Sequence, residues 1–216
     1  MDYQAVIFDF DYTLGDATES IVAGYNHGLT ALGWPEPDRE AVRRTVGHTL
    51  ENGYTMLTGD SDPEHRRQFR AHFVECAHEL QPATTRLFPG AAELLGRLNA
   101  LSIPTAIVTT KHSDMLRRVL ERQNALDWFR VLVGGEQVSR PKPDPEGLLF
   151  AMERLGAAPA DTLYCGDTVI DAETAQRAGV PFAAVLNGTT PAEAFTAFPH
   201  VHIAADLPDL RQFLGL

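Results

Sequence analysis

Residues 6–17 read VIFDFDYTLGDA. Val6, Ile7 and Phe8 make an apolar, partly β-branched run, the pattern of a buried strand. Asp9 and Asp11 follow it, one residue apart. Side chains of an extended chain alternate between faces, so acids at this spacing point to the same side. Carboxylates are seldom buried without a partner. Two accounts fit: a strand fraying into an acidic turn at Gly15 and Asp16, or a reactive pair at the C-terminal end of a strand, where open α/β sheets bind their ligands. The rest of the chain separates them.

From about Leu87 onward the sequence alternates apolar runs with helical patterns. Ile103–Val108 predicts a strand, followed by a helix through Met115, Leu116, Val119 and Leu120. Val131–Val133 predicts another, followed by a helix opened by Pro145, lined by Leu148, Leu149, Met152 and Leu155 and closed by Gly156. Thr162–Cys165 predicts a third, with a helix ending at Gly179. Phe182–Leu186 and Val201–Ala204 read as further strands. Helices of this length between strands imply right-handed crossovers and a mostly parallel sheet, which Ala5–Phe8 joins. The stretch from about Asp16 to Arg86 is different, with helical patterns only. Ile21, Val22, Tyr25, Leu29 and Leu32 share one helical face. Leu50, Tyr54 and Leu57 suggest a second helix. Phe69, Phe73, Cys76 and Leu80 suggest a third, with Asp62 as N-cap and Pro63 in its first turn. The expected fold class is therefore α/β: a Rossmann-like, mostly parallel sheet flanked by helices, formed by residues 1–14 and 87–216, with an all-helical domain, residues 15–86, inserted over its ligand-binding edge.

The bulk numbers limit the function. A chain of 216 residues, 44% hydrophobic, can bury a substantial core. A formal net charge of -11 gives no electrostatic footprint for nucleic acid or an anionic membrane. It leaves room for small phosphorylated ligands, because a metal and a few local cations outweigh a distant negative surface. The two cysteines, Cys76 and Cys165, have no metal-like spacing and fit a reducing cytoplasm. Met1 and Asp2 open no basic, then apolar, leader, and no run approaches the length of a membrane span.

Three polar clusters follow strand-like runs: Thr109-Thr110-Lys111 after TAIV, Lys142 within RPKPDPEG, and Asp167 with Asp171 in LYCGDTVID. Singly, each has a plain structural role, since threonines cap helices, lysines are usually solvated and Gly-Asp pairs turn chains. Together they supply what phosphoryl transfer to a carboxylate requires. A phosphate ester repels a carboxylate nucleophile unless a divalent cation offsets the charge. Asp9 and Asp167 offer the oxygen ligands that Mg²⁺ prefers. Threonine hydroxyls and helix-start amides hold phosphoryl oxygens, and a lysine balances the remaining charge. One carboxylate attacks; a second serves as acid, then as base. Of 18 Lys and Arg residues only Lys111 and Lys142 are lysine, and both lie in these clusters. A compact ammonium is not interchangeable with a guanidinium.

In this order, DFDYT, VTTK, RPKP and GDTVID resemble the four motifs of the haloacid dehalogenase-like hydrolase superfamily, across essentially the whole chain. The helical insertion is similar to its cap of the first type, in the branch of phosphoglycolate phosphatases and β-phosphoglucomutases. The resemblance implies Asp9 as nucleophile and Asp11 as general acid/base, with its backbone carbonyl on the metal. It implies Thr109, with Thr110 beside it, on the phosphoryl oxygens and Lys142 on the nucleophile and transferring group. It also implies Asp167 on Mg²⁺, and Asp171 either on a metal-bound water or orienting Lys142. The implied activity is a Mg²⁺-dependent, cytoplasmic phosphatase for a small phosphorylated metabolite.

Two positions depart from the family pattern. Tyr12 stands where glycine is usual and does not readily take φ > 0, so the turn after Asp11 is expected to differ or the ring to wall the entrance. Thr110 stands where asparagine is common. In the inserted segment, VGHTLENG at residues 46–53 is the candidate loop for substrate choice, through His48 and Thr49, although Thr49 also suits a helix N-cap. Gly15, Asp16 and the stretch 86–89 are the expected hinges. The competing functions are a phosphomutase, which returns the phosphoryl group to a sugar; a dehalogenase, which normally lacks an acid like Asp11; and a phosphate-binding domain without catalysis, which would need neither Asp9 nor Lys142. Oligomeric state is not legible.

Overall fold

The structure is a computed structural model and describes residues 3–216; Met1 and Asp2, read above as the start of the first core segment, lie outside the described residues. The strands are β1 (Ala5–Phe8), β2 (Gly15–Asp16), β3 (Arg86–Leu87), β4 (Thr105–Val108), β5 (Val131–Val133), β6 (Thr162–Gly166), β7 (Phe182–Val185) and β8 (His202–Ala204). Six of them form one sheet in the order β5-β4-β1-β6-β7-β8, every neighbouring pair parallel. The central strands β1, β4 and β6 are buried at every residue, as befits strands covered on both faces.

The pleat of β1 sets the two sides of the core. Val6 and Phe8 face Leu94, Leu95 and Leu98 of helix α5 (Ala91–Ala100), Leu116, Val119 and Leu120 of α6 (Ser113–Arg122), and Leu207 and Leu210 of α10 (Leu207–Phe213). Ile7 faces the other way, toward Leu148, Ala151 and Met152 of α7 (Glu146–Leu155) and Ala172 and Ala175 of α8 (Val169–Ala178). A short α9 (Ala192–Phe195) adds Phe195 to that side. Gly156 and Gly179 close α7 and α8 in the left-handed conformation, as their positions in the sequence predict. The strand expected from Ile103 begins later, at Thr105, because Ser102 turns the chain at φ 58 and Pro104 carries no N–H for a ladder.

Four helices lie between β2 and β3: α1 (Thr18–Ala31), α2 (Arg39–Arg43), α3 (Leu50–Thr58) and α4 (Pro63–Thr84). The two chain crossings pair antiparallel, Gly15 with Leu87 and Asp16 with Arg86. Helix α1 meets α4 along Gly24 and Gly28, where a Cβ would lie 2.7 and 2.8 Å from the rings of Phe73 and Phe69, so only glycine lets the aromatic rings this close. Tyr25 completes the cluster, its ring centroid 5.1 Å from Phe69 and 5.4 Å from Phe73. Asp62 caps α4 by accepting from the amides of Glu64 and His65, with Pro63 in the first turn as expected. The buried face of α4 differs from the sequence reading. It runs Phe69, Phe73, Ala77, Gln81, at a strict spacing of four, and Cys76 and Leu80 flank it half-buried. Among the described residues, no helix is long and apolar enough to cross a membrane.

Candidate active site

Asp9 stands at the C-terminal end of β1, and its amide donates to the carbonyl of Cys165 at 2.9 Å, locking it to β6. Asp167 follows β6 directly, and Asp171 lies in the first turn of α8, so the parallel pairing of β1 and β6 brings the three together. One oxygen from each of these buried carboxylates lies within 4.8 Å of the others. Lys142 enters from the segment before α7. Its side chain is only 4% exposed, with Nζ 3.0 Å from Asp9 Oδ1 and 2.6 Å from Asp171 Oδ1.

Asp171 is fully engaged. Its Oδ1 accepts from Lys142 and from the Tyr164 hydroxyl at 2.8 Å, and its Oδ2 accepts from the amide and hydroxyl of Thr168. It therefore holds Lys142 in place and has no oxygen to spare for a metal. Asp167 is tied by one oxygen only, which accepts from Thr13 Oγ1 at 3.0 Å. Its other oxygen faces Gly188 so closely that a Cβ there would lie 2.1 Å away. Asp9 Oδ1 has the Lys142 ammonium beside it but no well-directed hydrogen bond, and Asp11 Oδ1 has no hydrogen-bond partner among the described residues.

Burial pushes the Asp9 carboxyl up to about 6, and the Asp171 and Asp11 charges add to that against the pull of Lys142. Burial, then the charges of Asp171 and Asp9, raise Asp167 well above the usual carboxylate range. Burial would depress the Lys142 ammonium, but Asp171 and Asp9 more than offset it and raise it. A concentration of buried negative charge with unsatisfied oxygens is poorly stable alone. Its all-oxygen donor set is the kind that Mg²⁺ takes, and Asp9 and Asp167 are the carboxylates with free oxygens to hold it.

Asp11 makes a second ion pair, with Lys111 Nζ 3.1 Å from its Oδ2. The same ammonium donates to Gln81 Oε1 of α4 at 2.7 Å, which ties the sheet to the helical insertion. Both lysines of the chain are thus buried in the site, Lys111 with its side chain 5% exposed. Thr109 is buried at the end of β4, its amide bonded to Val133 and its hydroxyl accepting from the Lys111 amide. Thr109, Thr110 and Lys142 line a small cavity of about 10 Å³.

Tyr12 corrects an expectation. It adopts φ 63 after all, and its ring, 1% exposed, is tucked against α1 and α2 instead of walling the entrance. Its hydroxyl pairs with Thr18 Oγ1 at 2.9 Å, and the Arg43 guanidinium lies 5.5 Å from the ring centre. Left-handed backbone costs a non-glycine residue about 1–2 kcal/mol, and burying the ring returns about 1.5–3 kcal/mol. His48 and Thr49 line a cleft of about 450 Å³ between the insertion and the sheet edge, with Asp11, Thr110 and Lys111 on the opposite wall. Thr49 also caps α3, accepting from the Asn52 amide at 3.2 Å. Desolvation lowers the His48 imidazole below its ordinary value, so it is neutral near pH 7.

Sequence reasoning missed Thr13, Tyr164 and Gln81 and gave Lys111 no role. Thr13 sits within DFDYT and Tyr164 within an apolar run, where each reads as turn or core. Gln81, a polar residue on the buried face of α4, carried a signal that the assumed helical face obscured.

The family model of the haloacid dehalogenase-like hydrolases matches residues 6–185. The chain is 35% identical over 188 residues to the "Probable phosphatase IndB" of Dickeya dadantii, covering 85% of this chain and 81% of that one. It is 30% identical over 236 residues to the phosphoglycolate phosphatase of Escherichia coli K12, covering 100% of this chain and 94% of the relative. A solved structure from Bacteroides fragilis, described as a haloacid dehalogenase-like hydrolase, superposes with a TM-score of 0.93 at 38% identity, covering 96% of this chain and 99% of the other.

Proposed function

We propose that this chain, which belongs to the haloacid dehalogenase-like hydrolases, is a phosphatase that depends on Mg²⁺ and hydrolyses a small phosphorylated metabolite, phosphoglycolate-like or a related phosphoester, through an aspartyl-phosphate on Asp9. The observation that carries this reading is the buried placement of Lys142 between Asp9 and Asp171, with Asp167 beside them. A binding domain without catalysis needs no such buried charge.

Asp9 attacks phosphorus, and the bond from phosphorus to the leaving oxygen breaks. Asp11, whose Oδ1 has no hydrogen-bond partner among the described residues, gives that oxygen its proton. Asp11 then takes a proton from water as the water oxygen attacks the aspartyl-phosphate, releasing phosphate and restoring Asp9. Throughout, Lys142 offsets charge on Asp9 and the transferring group, and the Thr109 hydroxyl with neighbouring amides donates to the phosphoryl oxygens. Asp171 and Tyr164 are positioning residues that hold Lys142. Asp9, Asp167 and the Asp11 backbone carbonyl would hold Mg²⁺, which when bound offsets the charge that makes a carboxylate and a phosphate ester repel.

The described part of residues 1–14, with residues 87–216, then forms the core domain and residues 15–86 a cap hinged at the β2–β3 crossing. The Cys76 and Cys165 thiols, both free, suit a cytoplasmic enzyme. The test is phosphate release from a panel of phosphomonoesters with Mg²⁺ and with a chelator. Turnover that is lost with the chelator and in Asp9→Asn supports the reading. Turnover that survives Asp9→Asn, or isomerised sugar phosphate with little free phosphate, overturns it.

A further inference from the structure

The cleft over Asp11 is large and its far wall is apolar. Ile21, Leu50, Phe73 and Val74 come from the cap, and Met115 from the core side. At about 450 Å³ it falls within the range of sites for ring-sized ligands. A two-carbon acid would leave most of it filled with water.

Its charges favour the same direction. Four carboxylates, of Asp11, Glu51, Asp114 and Glu136, line it against three permanent cations. Each cation already has a partner. Arg70 Nη1 lies 3.2 Å from Glu51 Oε1, and Lys111 is shared between Asp11 and Gln81. Arg118 pairs with Glu79 at 3.1 Å and donates to the His78 carbonyl. The His48 imidazole, also on the lining, offers hydrogen bonding without charge, as burial keeps it neutral. A carboxylate brought into this cleft would meet an excess of negative charge and, among the described residues, only permanent cations that already have partners, and desolvating it unpaired is costly.

We infer that the substrate's leaving group is an uncharged alcohol carrying an apolar ring, seated against Leu50, Phe73 and Val74, and not a short carboxylic acid. This inference rests on the phosphatase reading above and narrows it. The phosphoryl end remains with Lys142 and Thr109, while the ring gains its affinity by leaving water against the cap.

The experiment measures kcat/KM for the full-length, Mg²⁺-loaded protein with benzyl phosphate, ethyl phosphate and phosphoglycolate, all esters of primary alcohols. Benzyl phosphate is expected to exceed phosphoglycolate by at least about tenfold, since each added apolar group in such a pocket discriminates by that order. A smaller ratio, or a reversed one, overturns the inference. A second arm uses Glu51→Gln, which frees Arg70. The phosphoglycolate to benzyl phosphate ratio is expected to rise about fivefold, the scale of one half-exposed ion pair; an unchanged ratio overturns the claim that the missing cation excludes the acid. Ethyl phosphate keeps the two readings apart. If no ester is turned over, the phosphatase reading falls. If ethyl phosphate is turned over and phosphoglycolate is preferred, only the substrate class falls.

Discussion

Replacing Lys142 by methionine tests the electrostatics of the site apart from its chemistry. Methionine keeps most of the stem's volume and removes the charge. In the native site the ammonium stands 3.0 Å from Asp9 and 2.6 Å from Asp171, with Asp167 behind them. Its removal leaves three buried carboxylates facing only neutral donors: the hydroxyls of Tyr164, Thr168 and Thr13 and one amide. Breaking a buried ion pair from one side costs about 3–5 kcal/mol. The acids have an escape, which is to take up protons. Asp9 already sits at about 6 and Asp167 higher than usual, both raised by burial first. A carboxyl whose folded pKa lies above its unfolded value binds more protons when folded, so its contribution to stability falls as pH rises through that window. Without Lys142 the window widens upward. Urea unfolding of the metal-free proteins is expected to show Lys142→Met less stable by about 3–5 kcal/mol near pH 8, and by at least about 1 kcal/mol less than that near pH 5, at similar m-values. A penalty under about 1 kcal/mol near pH 8, or one that ignores pH, would refute the reasoning. Lys142→Arg is expected not to rescue turnover, because a planar fork does not fit a side-chain site only 4% exposed.

Other outcomes follow from single contacts. Gly188→Ala places a methyl where Asp167 Oδ2 lies and should raise the Mg²⁺ concentration for half-activation by at least about tenfold, read by metal titration. Tyr12→Gly relieves the backbone at φ 63 but loses a buried ring; with about 1–2 kcal/mol gained against about 3–5 kcal/mol lost, thermal unfolding should show net destabilisation. The His48 imidazole, lowered by desolvation, should titrate below 6.5 by NMR. Its contribution to stability is then present above 6.5 and lost as pH falls from there through the lower folded value, and a midpoint above 6.5 would contradict its burial in the cleft.

The parts of this fold that were legible in the sequence are those where burial leaves an unbroken pattern. β1, β4 and β6 are covered on both faces, so their apolar runs stand out, and the acids that end β1 and follow β6 break those runs at functional positions. Helix α2 was not legible: five residues with Val42 alone buried give no periodicity. The face of α4 was misread for a related reason. Cys76 and Leu80 look more apolar than Ala77 and Gln81, yet geometry buries the latter pair. Tyr12 deceived in the opposite sense, because local backbone preference argued against a turn that ring burial between α1 and α2 stabilises. Tyr164 could not be told from core until the Asp171 and Lys142 it serves were seen beside its hydroxyl.

Gln81 shows why that misreading matters to function. A buried amide is costly unless its polar atoms are satisfied, and at a position where helical spacing calls for an apolar residue it needs a reason to be there. The Lys111 ammonium supplies that reason, and the ammonium's other partner is Asp11, the proposed proton donor. One buried polar residue of the helical insertion thereby shares an ammonium with the group proposed to serve the leaving oxygen, which the apolar residues Phe69, Phe73 and Ala77 on the same face of α4 could not do.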